Sequence, residues 1–186
     1  MTTVFKNRLA TSINGTTTTL SITSVTASSP SAGSVTLGFS TQATIPYPIG
    51  SYIYISGISV LNYNGGYIVT GATTSSVTYS NSTTGAATGG TIVNTILTSN
   101  SSAVTTVIGL SLTNTSSEVT LATIQLQDTL AGTTAYYISN AAIPAYQSLR
   151  VVSNGEKLVL GNSNNVFITS SIPNTLDLVM SWVEIS

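Results

Sequence analysis

From Val104 to Thr113 the chain alternates without a break. Val104, Thr106, Ile108, Leu110 and Leu112 occupy one parity; Thr105, Val107, Gly109, Ser111 and Thr113 occupy the other. A two-residue repeat rich in β-branched side chains marks a half-buried strand, because successive side chains point to opposite faces of a sheet. Val35, Leu37 and Phe39 repeat the pattern, as do Tyr52 and Tyr54 against Ile53 and Ile55, and Val77 with Tyr79. Threonine suits the open face of such a sheet, since it fills the pleat without demanding burial. The chain supplies that face generously, with 33 Thr and 29 Ser among 186 residues. Helical spacing of apolar residues is missing from every stretch free of Gly, Pro or Ser/Thr/Asn clusters. The expected fold is all-β, as two small β-sandwich or barrel domains (immunoglobulin-like or jelly-roll-like) with no significant helix.

Strands are expected at 18–26, 33–40, 50–56, 66–72, 75–80 and 90–97, then at 103–114, 118–127, 133–139, 147–153, 156–161, 165–170 and 175–185. Turn signals separate them at Ser28-Ser29-Pro30-Ser31, Asn62-Tyr63-Asn64-Gly65-Gly66, Thr84-Gly85, Asn154-Gly155 and Pro173-Asn174. Asn154-Gly155, between Arg150-Val151-Val152 and Lys157-Leu158-Val159-Leu160, reads as a type I′ hairpin turn, whose central residues need positive φ. The polar break Ser99-Asn100-Ser101-Ser102 places a boundary between domains 1–98 and 99–186; a single continuous domain is the alternative. In the last strand Leu178, Met180 and Trp182 share one face, and Val183 and Ile185 the other. A strand apolar on both faces is central to a sandwich or covered by a second subunit.

Charge narrows the function. Only 5% of residues are charged, with four Lys+Arg against five Asp+Glu, and none lies between Leu9 and Ser117. A soluble domain ordinarily has about 25%. Four scattered cations give no footprint for nucleic acid. The absence of Cys and His removes thiolates, imidazole bases and zinc-finger ligands. Met1 to Arg8 lacks an apolar segment behind it, so no secretory signal is expected. No apolar run reaches the ~18 residues of a membrane helix.

Asp128, Glu156, Asp177 and Glu184 offer the material for a paired-carboxylate site, but they fall in separate elements. A serine nucleophile would lack its base. No calcium-loop pattern occurs, and Gly85-Ala86-Ala87-Thr88-Gly89-Gly90 lacks the lysine of a phosphate loop. No enzyme, cofactor or metal is expected. Asn-x-Ser/Thr triplets begin at Asn14, Asn81, Asn100 and Asn114, as chance allows in so hydroxyl-rich a chain. Tyr47, Tyr52, Tyr54, Tyr63, Tyr67 and Tyr79 crowd the N-terminal half. They read either as core residues with rim hydroxyls or as an interaction face for protein or sugar.

Residues 50–91 carry Gly50-Ser51-Tyr52-Ile53-Tyr54-Ile55-Ser56-Gly57, Tyr63-Asn64-Gly65-Gly66-Tyr67-Ile68-Val69-Thr70, Thr73-Thr74-Ser75-Ser76-Val77-Thr78-Tyr79 and Gly85-Ala86-Ala87-Thr88-Gly89-Gly90-Thr91. This resembles a β-module that recurs in bacteriophage virion proteins. Ile143-Pro144, Lys157-Leu158-Val159-Leu160 and the closing Asp177 to Ile185 resemble small β-sandwich virion proteins of tailed phages, including those of cyanobacteria. The acidic residue usual before the penultimate strand is replaced here by Asn162 to Asn165. The resemblance implies a structural virion component present in many copies, often trimeric, whose partners are capsid or tail proteins and itself. A capsid decoration (cement) protein is the expected role. A neck, tail, baseplate or fibre accessory and a host-glycan adhesin are the alternatives, with neither nucleic acid nor membrane as partner.

Overall fold

The computed structural model describes residues 1–186 except 12, 14, 16–17, 28–32, 101 and 154. The chain is all-β, and its described helix is one 3-10 turn at Leu61–Tyr63. It divides into two compact units: Met1–Thr16 with Ile96–Ser186, and Thr17–Thr95.

The first unit is a sandwich of two sheets. One contains β1 (Thr3–Ala10), β15 (Leu176–Ile185), β9 (Val104–Asn114) and β12 (Ser148–Val152) in that order, with β13 (Leu158–Leu160) also paired to β9. The other runs β11 (Thr133–Ile143), β10 (Thr120–Asp128), β14 (Asn165–Ser170), β8 (Leu97–Thr98). Every pairing is antiparallel. The shared core takes Ala122 and Ile124 from β10, Val166 and Ile168 from β14, and Leu178, Met180 and Trp182 from β15. In β9 a bulge at Ile108 switches the parity, so Val107 faces the core before it and Leu110 and Leu112 after it, and the expected single face from Val104 to Leu112 is broken.

The second unit is a closed six-strand barrel. Its strands are β2 (Thr19–Ala27), β3 (Ser34–Phe39), β4 (Tyr52–Ser56), β5 (Gly65–Ala72), β6 (Ser76–Ser80) and β7 (Thr91–Asn94). Around the barrel the order is β2-β3-β6-β5-β4-β7, with β7 returning to β2. Closure leaves no sheet edge exposed along the ring. Val35, Leu37, Ile53, Ile55, Val77, Tyr79 and Ile92 fill the interior.

Three further expectations change. The N-terminal segment does not belong with residues 17–95. β1 pairs with β15 across its whole length, from Thr3 opposite Ile185 to Ala10 opposite Leu178, and so completes the C-terminal unit. The second crossing, at Thr95 and Ile96, falls close to the expected break at 98/99. At the Asn154-Gly155 signal a turn closes, with the Glu156 N–H donating to the Ser153 carbonyl at 3.0 Å, but the flanking strands do not pair as a hairpin: β12 and β13 both run along β9, meeting Leu110–Thr113 and Thr105–Val107 respectively. Val152 and Leu160 both join the core in that arrangement. Gly155 does adopt positive φ, in the loop between them, and Asn154 lies outside the described residues, as does the Ser28-Ser29-Pro30-Ser31 turn. Finally, β15 is central in its sheet, and within one chain the sandwich buries one of its faces, so burial of both by the sandwich alone does not hold. Leu178, Met180 and Trp182 are buried, Val183 and Ile185 are half-buried, and Val179 is 53% exposed.

Candidate interaction surfaces

The register of the five-stranded sheet assembles its outer face row by row. Thr3, Ile185 and Val104 stand side by side; Phe5, Val183, Thr106 and Val159 follow; then Asn7, Ser181 and Gly109; then Leu9, Val179, Ser111 and Arg150. Ile108 is the extra residue of a bulge opposite Ser181 and Trp182. Six apolar side chains here face solvent: Phe5 at 75%, Leu9 at 73%, Val159 at 63%, Val179 at 53%, Val104 at 50% and Ile108 at 41%. Arg150 and Asp177 are the charged residues of this face, and both lie toward one end of it.

β1 is built inside out relative to a simple reading. Its apolar Phe5 and Leu9 face outward, while Lys6 and Arg8 stand opposite the buried Trp182 and Met180. The Lys6 ammonium reaches Glu184 Oε2 at 2.7 Å, and Arg8 lies 5.6 Å from the Trp182 ring centre and donates to the Ile96 carbonyl. Glu184 is buried and also accepts from the Trp182 indole N–H at 3.0 Å. Burial opposes its ionisation, but the hydrogen bond from Lys6, that from Trp182, the Lys6 charge and a contact from Asn100 outweigh it and lower its pKa. This strand and its outward apolar residues were not expected from the sequence. The signal was present as alternation of Phe5, Asn7 and Leu9 with Lys6 and Arg8, which suggests the opposite inside.

In the barrel the six tyrosines do not form one face. Tyr47, Tyr63 and Tyr79 are fully buried. Each hydroxyl donates to a backbone carbonyl: Tyr47 to Ile92 at 3.0 Å, Tyr63 to Gly85 at 2.9 Å and Tyr79 to Tyr63 at 3.2 Å. Burial pushes the Tyr47 and Tyr79 phenols well above their ordinary range. Tyr52, Tyr54 and Tyr67 are half-buried. The Tyr67 ring packs on Tyr79 with centroids 4.2 Å apart, and its hydroxyl accepts from Asn81 Nδ2 at 3.0 Å. Only Tyr52, Tyr54 and Tyr67 therefore remain candidates for an outer contact.

The glycine-rich segment is structural. Gly85 supplies the carbonyl that Tyr63 binds, and the Gly90 carbonyl accepts from Ile22 N–H at 2.9 Å. Nothing there gathers phosphate-binding groups. The acids are likewise apart: Asp128 caps its own turn by accepting from Leu130 and Ala131, Glu156 is exposed between β12 and β13, and Asp177 lies on β15. Among the described residues no group of three metal-ligating side chains occurs, and no helix is long and apolar enough to cross a membrane. Asn114 is buried at the end of β9, its amide donating to the Glu118 and Ile143 carbonyls at 2.7 and 2.9 Å, so this triplet is a core element. Asn14 lies outside the described residues.

No family model, curated protein or solved structure matches this chain.

Proposed function

We propose that this chain is a structural virion protein of a tailed bacteriophage, most specifically a capsid decoration (cement) protein that binds and stabilises the shell. The supporting observation is the neutral barrel. Residues 17–95 fold into a closed unit without one Asp, Glu, Lys or Arg. Free soluble domains keep charge on their surface for solubility, whereas interface cores are depleted in it. A barrel walled by Thr, Ser and half-buried Tyr fits a surface that ends up against neighbouring subunits. The motif resemblance of residues 50–91 points the same way. Assembly takes place in the host cytoplasm and the product resides in the virion, in contact with capsid proteins and with copies of itself.

Introducing lysine at exposed barrel positions, Thr70→Lys and Thr91→Lys, is expected to leave the melting transition nearly unchanged while abolishing incorporation into particles. Normal incorporation of both would overturn the reading. Copy number by quantitative mass spectrometry of purified virions separates roles within the class: numbers in step with the capsid subunits indicate decoration, and one ring's worth indicates a neck, tail, baseplate or fibre accessory. Tyr52, Tyr54 and Tyr67 carry the adhesin alternative, which specific retention of the intact protein on a glycan array would favour.

A further inference from the structure

We propose that the outer face of the five-stranded sheet is an isologous interface, covered by the same face of a second copy of this chain. The proposal rests on β1, β15, β9 and β13 and stands apart from the virion reading.

Size comes first. Phe5, Leu9, Val104, Ile108, Val159 and Val179 are 41–75% exposed on this one face. Side chains of these sizes present on the order of 600 Å² of apolar surface, at the upper limit for a typical monomer, and the intervening Thr and Ser bring the face near the roughly 800 Å² per partner of a standard interface.

Shape and charge then favour a copy of the same chain. A sheet face packs on another sheet face about 10 Å away with strands roughly aligned. Arg150 and Asp177 give the face one charge of each sign, so two copies meet without net repulsion. The remaining rows are neutral, and small residues at Gly109, Ser111 and Ser181 lie between the larger side chains.

The neighbouring edge is closed to the same use. β1 is the outer strand of the sheet, but Lys6 and Arg8 point inward from it and are engaged by Glu184, Trp182 and the Ile96 carbonyl. Inward charges blunt an edge, because an added strand would bury them. The second copy therefore seats on the face, not along β1. An isologous face joins copies in pairs, so the three-fold symmetry implied by the phage resemblance would coexist with it only in a particle of six chains or a whole multiple of that number.

Sedimentation of the intact protein at about 100 μM, above the micromolar dissociation constants of ordinary weak complexes, should give an even number of 19.1 kDa chains. Phe5→Lys and Val179→Lys should each raise the pairwise dissociation constant at least about tenfold. Leu61→Lys, in the barrel, should not. Trp182 fluorescence reports whether the sandwich remains folded. Because the chain has no cysteine, Ser181→Cys offers a single thiol at the centre of the face. Its maleimide labelling should slow as protein concentration rises. A monomeric wild type, or labelling independent of concentration, would overturn the proposal.

Discussion

The side chain of Asn64 pairs with the backbone of Ile58 at both ends, its Oδ1 accepting from the Ile58 N–H at 2.9 Å and its Nδ2 donating to the Ile58 carbonyl at 3.0 Å. One carboxamide thus does the work of an adjacent strand residue. It fixes the segment between β4 and β5 while its neighbour Tyr63 enters the core. Replacing Asn64 with Ala leaves both Ile58 groups without this partner and should cost about 2 kcal/mol, measured by urea unfolding. Asn64→Asp should not rescue it, since a carboxylate cannot donate to the Ile58 carbonyl.

Gly90 has φ of +98°, and a methyl there would meet Ile58 Cγ1 at 2.6 Å, the Ser56 carbonyl oxygen at 2.9 Å and the Ile58 nitrogen at 3.0 Å. Two of these are backbone atoms that cannot rotate away. Gly50 also has positive φ, +86°, but open space around it. Gly50→Ala should cost about 1 kcal/mol from conformation alone, and Gly90→Ala at least about 1 kcal/mol more. Equal shifts in the two melting temperatures would contradict the packing at Ile58.

Acid should loosen the attachment of β1. The Glu184 carboxyl has a lowered pKa in the fold, with Lys6 and Trp182 outweighing its burial. Its contribution is complete above the unfolded carboxylate value of 4.5 and is lost as pH falls through the lower folded value. Glu184→Gln should cost about 1 kcal/mol at neutral pH, a modest figure because Lys6 is 42% exposed. The difference from wild type should vanish in acid. A constant difference across pH would show that the charge is not what matters.

Base should act on the barrel instead. Burial holds the Tyr47 and Tyr79 phenols above the ordinary phenol value of 10.0. A raised folded pKa means that stability is intact below the unfolded value and is lost as pH rises above it toward the folded values. Phenolate absorbance from these two residues, read as the amplitude lost in Tyr47→Phe and Tyr79→Phe, should therefore rise only above the ordinary phenol range and together with unfolding. Amplitude lost within the ordinary phenol range would contradict the burial of these hydroxyls.

Period-two alternation was enough to place most strands, because in a sheet the repeat of the side chains is the repeat of the backbone. It does not say which parity faces inward, nor where a bulge switches it: in β9 Val104 and Thr106 face outward and Leu110 and Leu112 inward, on either side of Ile108. In β1 the cations face the core side and the aromatic faces water, so Thr3–Ala10 did not look like a strand. In the barrel Ile53 and Ile55 turn inward and Tyr52 and Tyr54 outward, while Tyr79 shares the inner parity with Val77. Six tyrosines close in sequence are consequently divided between core and wall. Asn114 continues the inward parity of Leu110 and Leu112 and is buried with them. The Asn154-Gly155 signal marks a turn that Glu156 closes onto the Ser153 carbonyl, but both flanking strands pair with β9 and not with each other.

Reconstruction of phage particles released from cells that produce this protein tests the proposed virion role most directly. Density for the sandwich and the barrel is expected on the outside of the capsid shell, with the neutral barrel wall against neighbouring subunits. Particles that lack this density at every position, in a preparation whose host cells contain the folded protein, would contradict that role.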